Sequence, residues 1–243
     1  MNEKHKILII CAVILFLIFV GTASAKTWYV DDDLHEFPYA DFTKIQDAVN
    51  IASPRDTIIV YNGTYYENID IDKRLNLTGI GMPLIIGGGS GPAIEFQEGA
   101  DNCMLYGFKI TSVIRTFIIG IRYSGISISS NNNIIKDNVV YDNYFGISIR
   151  YPSINNSLIN NTIFNNFDYG VSMMFSDNNT LANNCVFNNY DVDKSMFPNK
   201  SIWGGGIWAF LSNNNTFIGN NVSNNNQNGI TLENASDSII ISN

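Results

Sequence analysis

The chain has 243 residues, with 22 acidic against 14 basic side chains and a formal net charge of −8. That balance argues against a nucleic-acid partner, whose binders carry a basic face, and it allows cations or neutral glycans. Asparagine occurs 35 times, 29 of them from Gly125 onward. Such a bias alone would mean a disordered, aggregation-prone segment, but here it coincides with a strict apolar register that rejects disorder.

Residues 1–25 read as a signal peptide. Lys4 and Lys6 supply the positive start, Ile7 to Val20 give 14 unbroken apolar residues, and Ala23-Ser-Ala25 is a small-residue cleavage site. An uncleaved membrane anchor is the rival reading, but 14 residues fall short of the ~18–20 that span a bilayer. Cleavage after Ala25 leaves 218 residues, enough for one solenoid domain, with 12 basic and 21 acidic side chains. The protein is therefore expected to be secreted or held at the cell surface, touching a membrane only through this segment. Nine Asn-X-Ser/Thr sequons lie between Asn62 and Asn234. They make a glycoprotein possible, although a repeat rich in Asn and Thr creates them by accident.

Residues 26–57 read as a cap. Ile45, Ala48, Val49 and Ala52 fall at i, i+3, i+4 and i+7, and Thr43 and Gln46 have capping-box spacing. A short helix over about residues 42–52 is expected to cover the first coil and its strand edge, ended by Ser53-Pro54. Residues 58–124 read as irregular coils, with Gly87-Gly-Gly-Ser-Gly91 as a loop, and residues 125–243 as regular ones.

The regular part carries the main signal. Asn138, Asn161, Asn184, Asn220 and Asn243 are separated by 23, 23, 36 and 23 residues, and Ile135, Leu158, Leu181, Phe217 and Ile240 keep the same intervals. Val140, Ile163, Val186 and Val222 follow, as do Asn143, Asn166, Asn189 and Asn225. Within a repeat, apolar and polar residues alternate over three to five positions without a helical period. Three short strands per turn, joined at Asn corners, make an all-β fold, a parallel β-helix of about 23 residues per coil. Asn suits the corners because it tolerates left-handed backbone and bonds locally. A leucine-rich repeat is disfavoured: Leu is scarce and no repeat has a helical half. Cys103 falls in the column of Asn133 and Cys185 in that of Val139, so a disulfide between them is not expected.

The chain resembles the right-handed parallel β-helix proteins of the pectin-lyase-like superfamily, especially their NosD-like repeat group. The front end carries the resemblance as well: Trp28-Tyr-Val-Asp-Asp-Asp33, Asp41-Phe-Thr-Lys-Ile-Gln-Asp-Ala-Val49, Asp56-Thr-Ile-Ile-Val60, Gly63-Thr-Tyr65, Leu75-Asn-Leu-Thr-Gly79 and Gly107-Phe-Lys-Ile110. It implies a first strand, a capping helix and then coils. Arg55 departs from the pattern, standing where the turn has Gly. The superfamily holds lyases, hydrolases, epimerases and non-enzymes, so it implies fold and not chemistry. Asn243 is itself a corner asparagine, which is read as a chain that continues further, or else as an end covered by another subunit.

Function on such a scaffold falls to outward side chains and corner insertions. Two insertions, 113–124 and 190–205, leave the same corner and could wall a groove. Tyr190, Trp203, Trp208 and Phe210 are the candidate ligand-binding residues: Trp208 interrupts the outward column Ser127, Ser148, Ser172, and Phe210 follows Met174 in the next. They could form a platform for sugar rings or fold into a satellite core. Asp168 and Asp191 share a column, with Asp193 close by. These three could serve as glycosidase carboxylates or Ca²⁺ ligands, or be a solvated acidic corner. Asp31-Asp-Asp33 is a further possible cation site, read as structural. Otherwise no cofactor is expected.

The weight falls on a non-catalytic surface protein binding glycans or building surface structure. Asp137 and Asp142 have no acidic partner in the next coil. The Gly-His-Gly and Arg-X-Lys motifs of the superfamily's hydrolases do not occur in the sequence. A polysaccharide lyase, hydrolase or epimerase acting through Asp168, Asp191 and Asp193 is the alternative. A second alternative, implied by the NosD resemblance, is an exported copper-site assembly factor, for which Cys, Met and His ligands are few.

Overall fold

A computed structural model describes residues 24–112, 123–190 and 204–243. Its strands are short because left-handed corners interrupt them every few residues. Among the described non-glycine residues with positive φ from Asn132 onward, all are Asn or Asp except Phe175, Leu211 and Ser242. Each corner turns the chain onto another face, and three faces complete a coil. The strands form one nine-stranded and two seven-stranded parallel sheets, each ordered by coil along the axis. The first sheet runs from Thr27–Val30 to Ile239–Ile241, the second from Thr64–Tyr65 to Asn221–Ser223, and the third from Ile69–Ile71 to Ile230–Glu233.

The pairing matches the sequence register residue for residue. Ile135 pairs with Leu158, Leu158 with Leu181 and Leu181 with Phe217. Val140 pairs with Ile163 and Ile163 with Val186. These residues, with Ile126 and Ile128, are buried in one continuous core. Ile240 extends the Phe217 column and is half exposed.

Three buried asparagine ladders staple the coils. In the first, Asn138 N donates to Asn161 Oδ1 (3.1 Å), Asn161 N to Asn184 Oδ1 (2.9 Å), Asn184 N to Asn220 Oδ1 (3.0 Å) and Asn220 N to Asn243 Oδ1 (2.9 Å). Asn143, Asn166, Asn189 and Asn225 repeat this. A third ladder, Asn133, Asn156, Asn179 and Asn215, was not singled out from the sequence, although it keeps the same spacing. Cys103 occupies the next position in that third column. Its N donates to Asn133 Oδ1 at 2.8 Å and its sulfur accepts from Leu75 N at 3.2 Å. Burial pushes its thiol up to about 11, so it stays protonated. Cys103 and Cys185 are both free.

The capping helix α1 spans Ile45–Ile51 and buries Ile45, Ala48 and Val49 as its period requires. Its start differs from the expected capping box. Lys44 is the N-cap residue and makes no side-chain cap bond. Instead the Glu67 carboxylate, from a coil corner, accepts from Ile45 N and Gln46 N, both at 2.9 Å. A bidentate anion does there what Thr43 was expected to do. Arg55 takes φ 80°, the conformation that glycine would adopt freely. Among the described residues, no helix is long and apolar enough to cross a membrane.

Candidate ligand-binding face

The outer face of the third sheet carries the column Asp70, Glu95, Ser127, Ser148, Ser172, Trp208, Thr231, each paired with the next. Its next column runs Arg150, Met174, Phe210, Glu233. The alternation of a strand turns both away from the core. Arg150 Nε donates to Ser148 Oγ at 3.3 Å.

Trp208 points outward yet is 9% exposed. Tyr169 stacks on it at 5.2 Å and 16°, and Phe210 at 5.6 Å and 23°. Its Nε1 donates to Glu233 Oε2 at 3.2 Å. Trp208 therefore sits inside an aromatic cluster. The cluster continues outward: Phe175 meets Phe210 edge-on at 5.6 Å, and Tyr151 meets Phe175 edge-on at 6.5 Å. Exposure climbs along this run to 44% at Phe175 and 72% at Tyr151, and Leu211 beside them is 38% exposed.

Phe175 and Leu211 hold φ of 52° and 48°, in the corner column that Asn234 occupies one coil later at φ 49°. A bulky side chain in this region is an outlier that costs about 1–2 kcal/mol. The sequence places large apolar groups on the surface where asparagine would be easier. Tyr151, Tyr169, Phe175 and Leu211 were missed from sequence. The readable signal was a corner column that runs Phe175, Leu211, Asn234, with bulky apolar residues where the following coil has Asn.

Tyr190 lies elsewhere, edge-on to Phe167 at 5.5 Å. Desolvation and then the Asp142 charge push its phenol up. Asp168 is buried, its backbone N donating to Tyr144 O at 2.9 Å. Asp191, Asp193, Trp203 and most of both corner insertions lie outside the described residues. A second aromatic row, Tyr141, Phe164 and Phe187, stacks at 5.4 and 5.2 Å with planes within 8°. Rings stacked along the axis turn their edges to solvent, so this row braces the second sheet and offers no flat face. Carboxylate oxygens of Asp31, Asp32, Asp33 and Glu36 gather within 4.8 Å. Asp31 accepts from Leu34 N and Phe37 N, Asp32 from Thr64 N, and Asp33 from His35 N. Asp31 and Asp33 thus bind backbone donors of the cap, and Asp32 ties the cap to the first coil at Thr64.

A family model described as the right handed beta helix region matches residues 84–243. No curated protein matches the sequence. Among solved structures, the pectin methylesterase from carrot aligns with a TM-score of 0.54 at 12% identity, over 90% of this chain and 84% of its own. Pectate lyase Pel9A aligns at 0.50 and 14% identity, over 87% and 69%. The lacto-N-biosidase from Eubacterium ramulus aligns at 0.50 and 10% identity, over 88% and 55%. At these identities the likeness shows a shared fold alone.

Proposed function

Because the chain belongs to the right-handed β-helix family, whose scaffold leaves function to outward side chains, we propose that it is an exported or cell-surface protein that binds glycans without cleaving them. The observation that carries this reading is the aromatic run from Trp208 to Tyr151, buried at one end and exposed at the other, with its exposed end set on the strained corner of Phe175 and Leu211. Strain retained at an exposed apolar position points to a selected surface.

The chemistry of that surface favours sugars. Ring faces and edges match the C–H face of a pyranose, and Asp177, Asn213 and Asn234 in the same corners can meet its hydroxyls. The net charge of −8 favours neutral over polyanionic chains. A non-catalytic role is supported by the outward column of Asp137, which continues as Asn160, Asn183 and Gly219. Export is supported by the segment that ends at Ala23-Ser-Ala25.

The test is electrophoresis of the protein through gels containing laminarin, xyloglucan, glucomannan or polygalacturonate. Retardation by at least one neutral polysaccharide is expected, reduced at least fivefold in affinity by Tyr151→Ala. Absence of retardation across the panel sinks the reading. Release of reducing ends or unsaturated products by the wild type but not by Asp168→Asn would replace it with the enzymatic alternative.

A further inference from the structure

Asp56 sits between the cap and the first coil and is 4% exposed. Its Oδ1 accepts from the backbone N of Lys26 at 2.7 Å, and its Oδ2 from Trp28 Nε1 at 3.0 Å and Ser53 N at 2.9 Å. All three donors are neutral while Lys26 is in mid-chain. These donors keep the carboxylate charged, yet none of the three brings a full positive charge to it. The Lys26 nitrogen is placed to change that, because Ser24, Ala25 and Lys26 are exposed and lie outside regular structure.

We propose that Asp56 is a binding site for an α-ammonium, created when the Ala25–Lys26 peptide bond is hydrolysed. Water adds across that bond: Ala25 leaves with the new carboxylate, and the Lys26 nitrogen becomes an amine that takes up a proton. The nitrogen already lies 2.7 Å from Asp56 Oδ1, so capture needs no rearrangement. A neutral hydrogen bond becomes a charge-assisted one, and the processed chain is locked in its cap. The proposal shares with the export reading only the position of cleavage.

The charged groups around the pair are few. Lys26 places its own Nζ 3.2 Å over the Trp28 ring centroid. Arg55 and Arg74, joined by a backbone bond, are exposed. Trp28 and Ser53 do not ionise. An α-amine has an ordinary pKa of about 7.7–8.0, and the adjacent carboxylate raises it in the folded state. Its stabilisation is therefore complete below about pH 7.7 and is lost as pH rises through the raised value.

The experiment compares two forms of the mature chain, one starting at Lys26 with a free amine and one starting at Ser24. The Lys26 form should melt about 2–4 °C higher at pH 7. The gap should close at high pH and vanish when both forms carry Asp56→Asn. Equal melting at pH 7, or a gap that survives Asp56→Asn, overturns the proposal. N-terminal sequencing of the exported protein should begin Lys-Thr-Trp. A different mature start, or retention of the leader, overturns the proposal and leaves the exported or cell-surface reading standing.

Discussion

One side-chain amide at a corner of this solenoid closes several bonds at once. Asn184 Oδ1 accepts from Asn161 N and Nδ2, and Asn184 Nδ2 donates to Leu158 O at 2.9 Å. Asn184→Ala should cost about 1–3 kcal/mol in urea unfolding, because it strands a buried N–H and a buried carbonyl. Asn184→Asp should cost more, since it keeps the acceptor but buries an unpaired charge. Phe175→Asn should have the opposite sign, raising stability by about 1 kcal/mol by relieving left-handed strain. The same substitution should weaken retardation in the polysaccharide gels. A loss of stability in Phe175→Asn would make Phe175 a packing residue. The ladders were legible because Asn advertises its corner by spacing. Phe175 was not, because nothing in a phenylalanine announces φ 52°.

At the level of elements, helix α1 shows where sequence spacing fails. Thr43 and Gln46 have the separation of a capping box, but the anion that serves the helix start is Glu67, 22 residues from Ile45. Only the coil path brings Glu67 there. Glu67→Ala should lower stability by about 1 kcal/mol, read as a fall in unfolding midpoint, while Thr43→Ala should change little. Asp56 ties the first strand to the turn after α1. Burial pushes its carboxyl up, but bonds from Lys26, Trp28 and Ser53, with the Lys26 charge, outweigh it and hold it below its ordinary 3.8. A depressed carboxylate stabilises above its unfolded value and loses that contribution as pH falls through the folded one. Wild type should therefore lose stability below about pH 4 more steeply than Asp56→Asn, which starts lower at neutral pH.

On the scale of the molecule, each coil touches only its neighbours, so damage should stay local. Leu181→Asp places a charge in the core and should cost several kcal/mol. Amide exchange should rise first near Leu158 and Phe217, its partners in the first sheet, and last near Ile58. Uniform acceleration would mean that the solenoid unfolds as one unit. The architecture was readable from sequence because the Ile135 and Val140 columns keep their register through a 36-residue interval. The burial of Trp208 was not, because its stacking partner Tyr169 belongs to a corner and not to its strand. Adjacency of a corner to the next coil's sheet is set by the path of the chain, not by any periodicity.

The ladders also have a direction. In each, the amide oxygen of the later coil accepts the backbone N–H of the earlier one, from Asn138 through Asn161 and Asn184 to Asn220. A ribosome delivers the earlier coil first. Its corner N–H groups are then made before their acceptors exist, and each coil waits for the next 23 residues, or 36 at Asn184, to be finished. The growing tip is always one coil behind itself. Chains arrested just before Asn184 should thus show fast exchange at the Asn161 amide, and chains arrested a few residues beyond it should show protection.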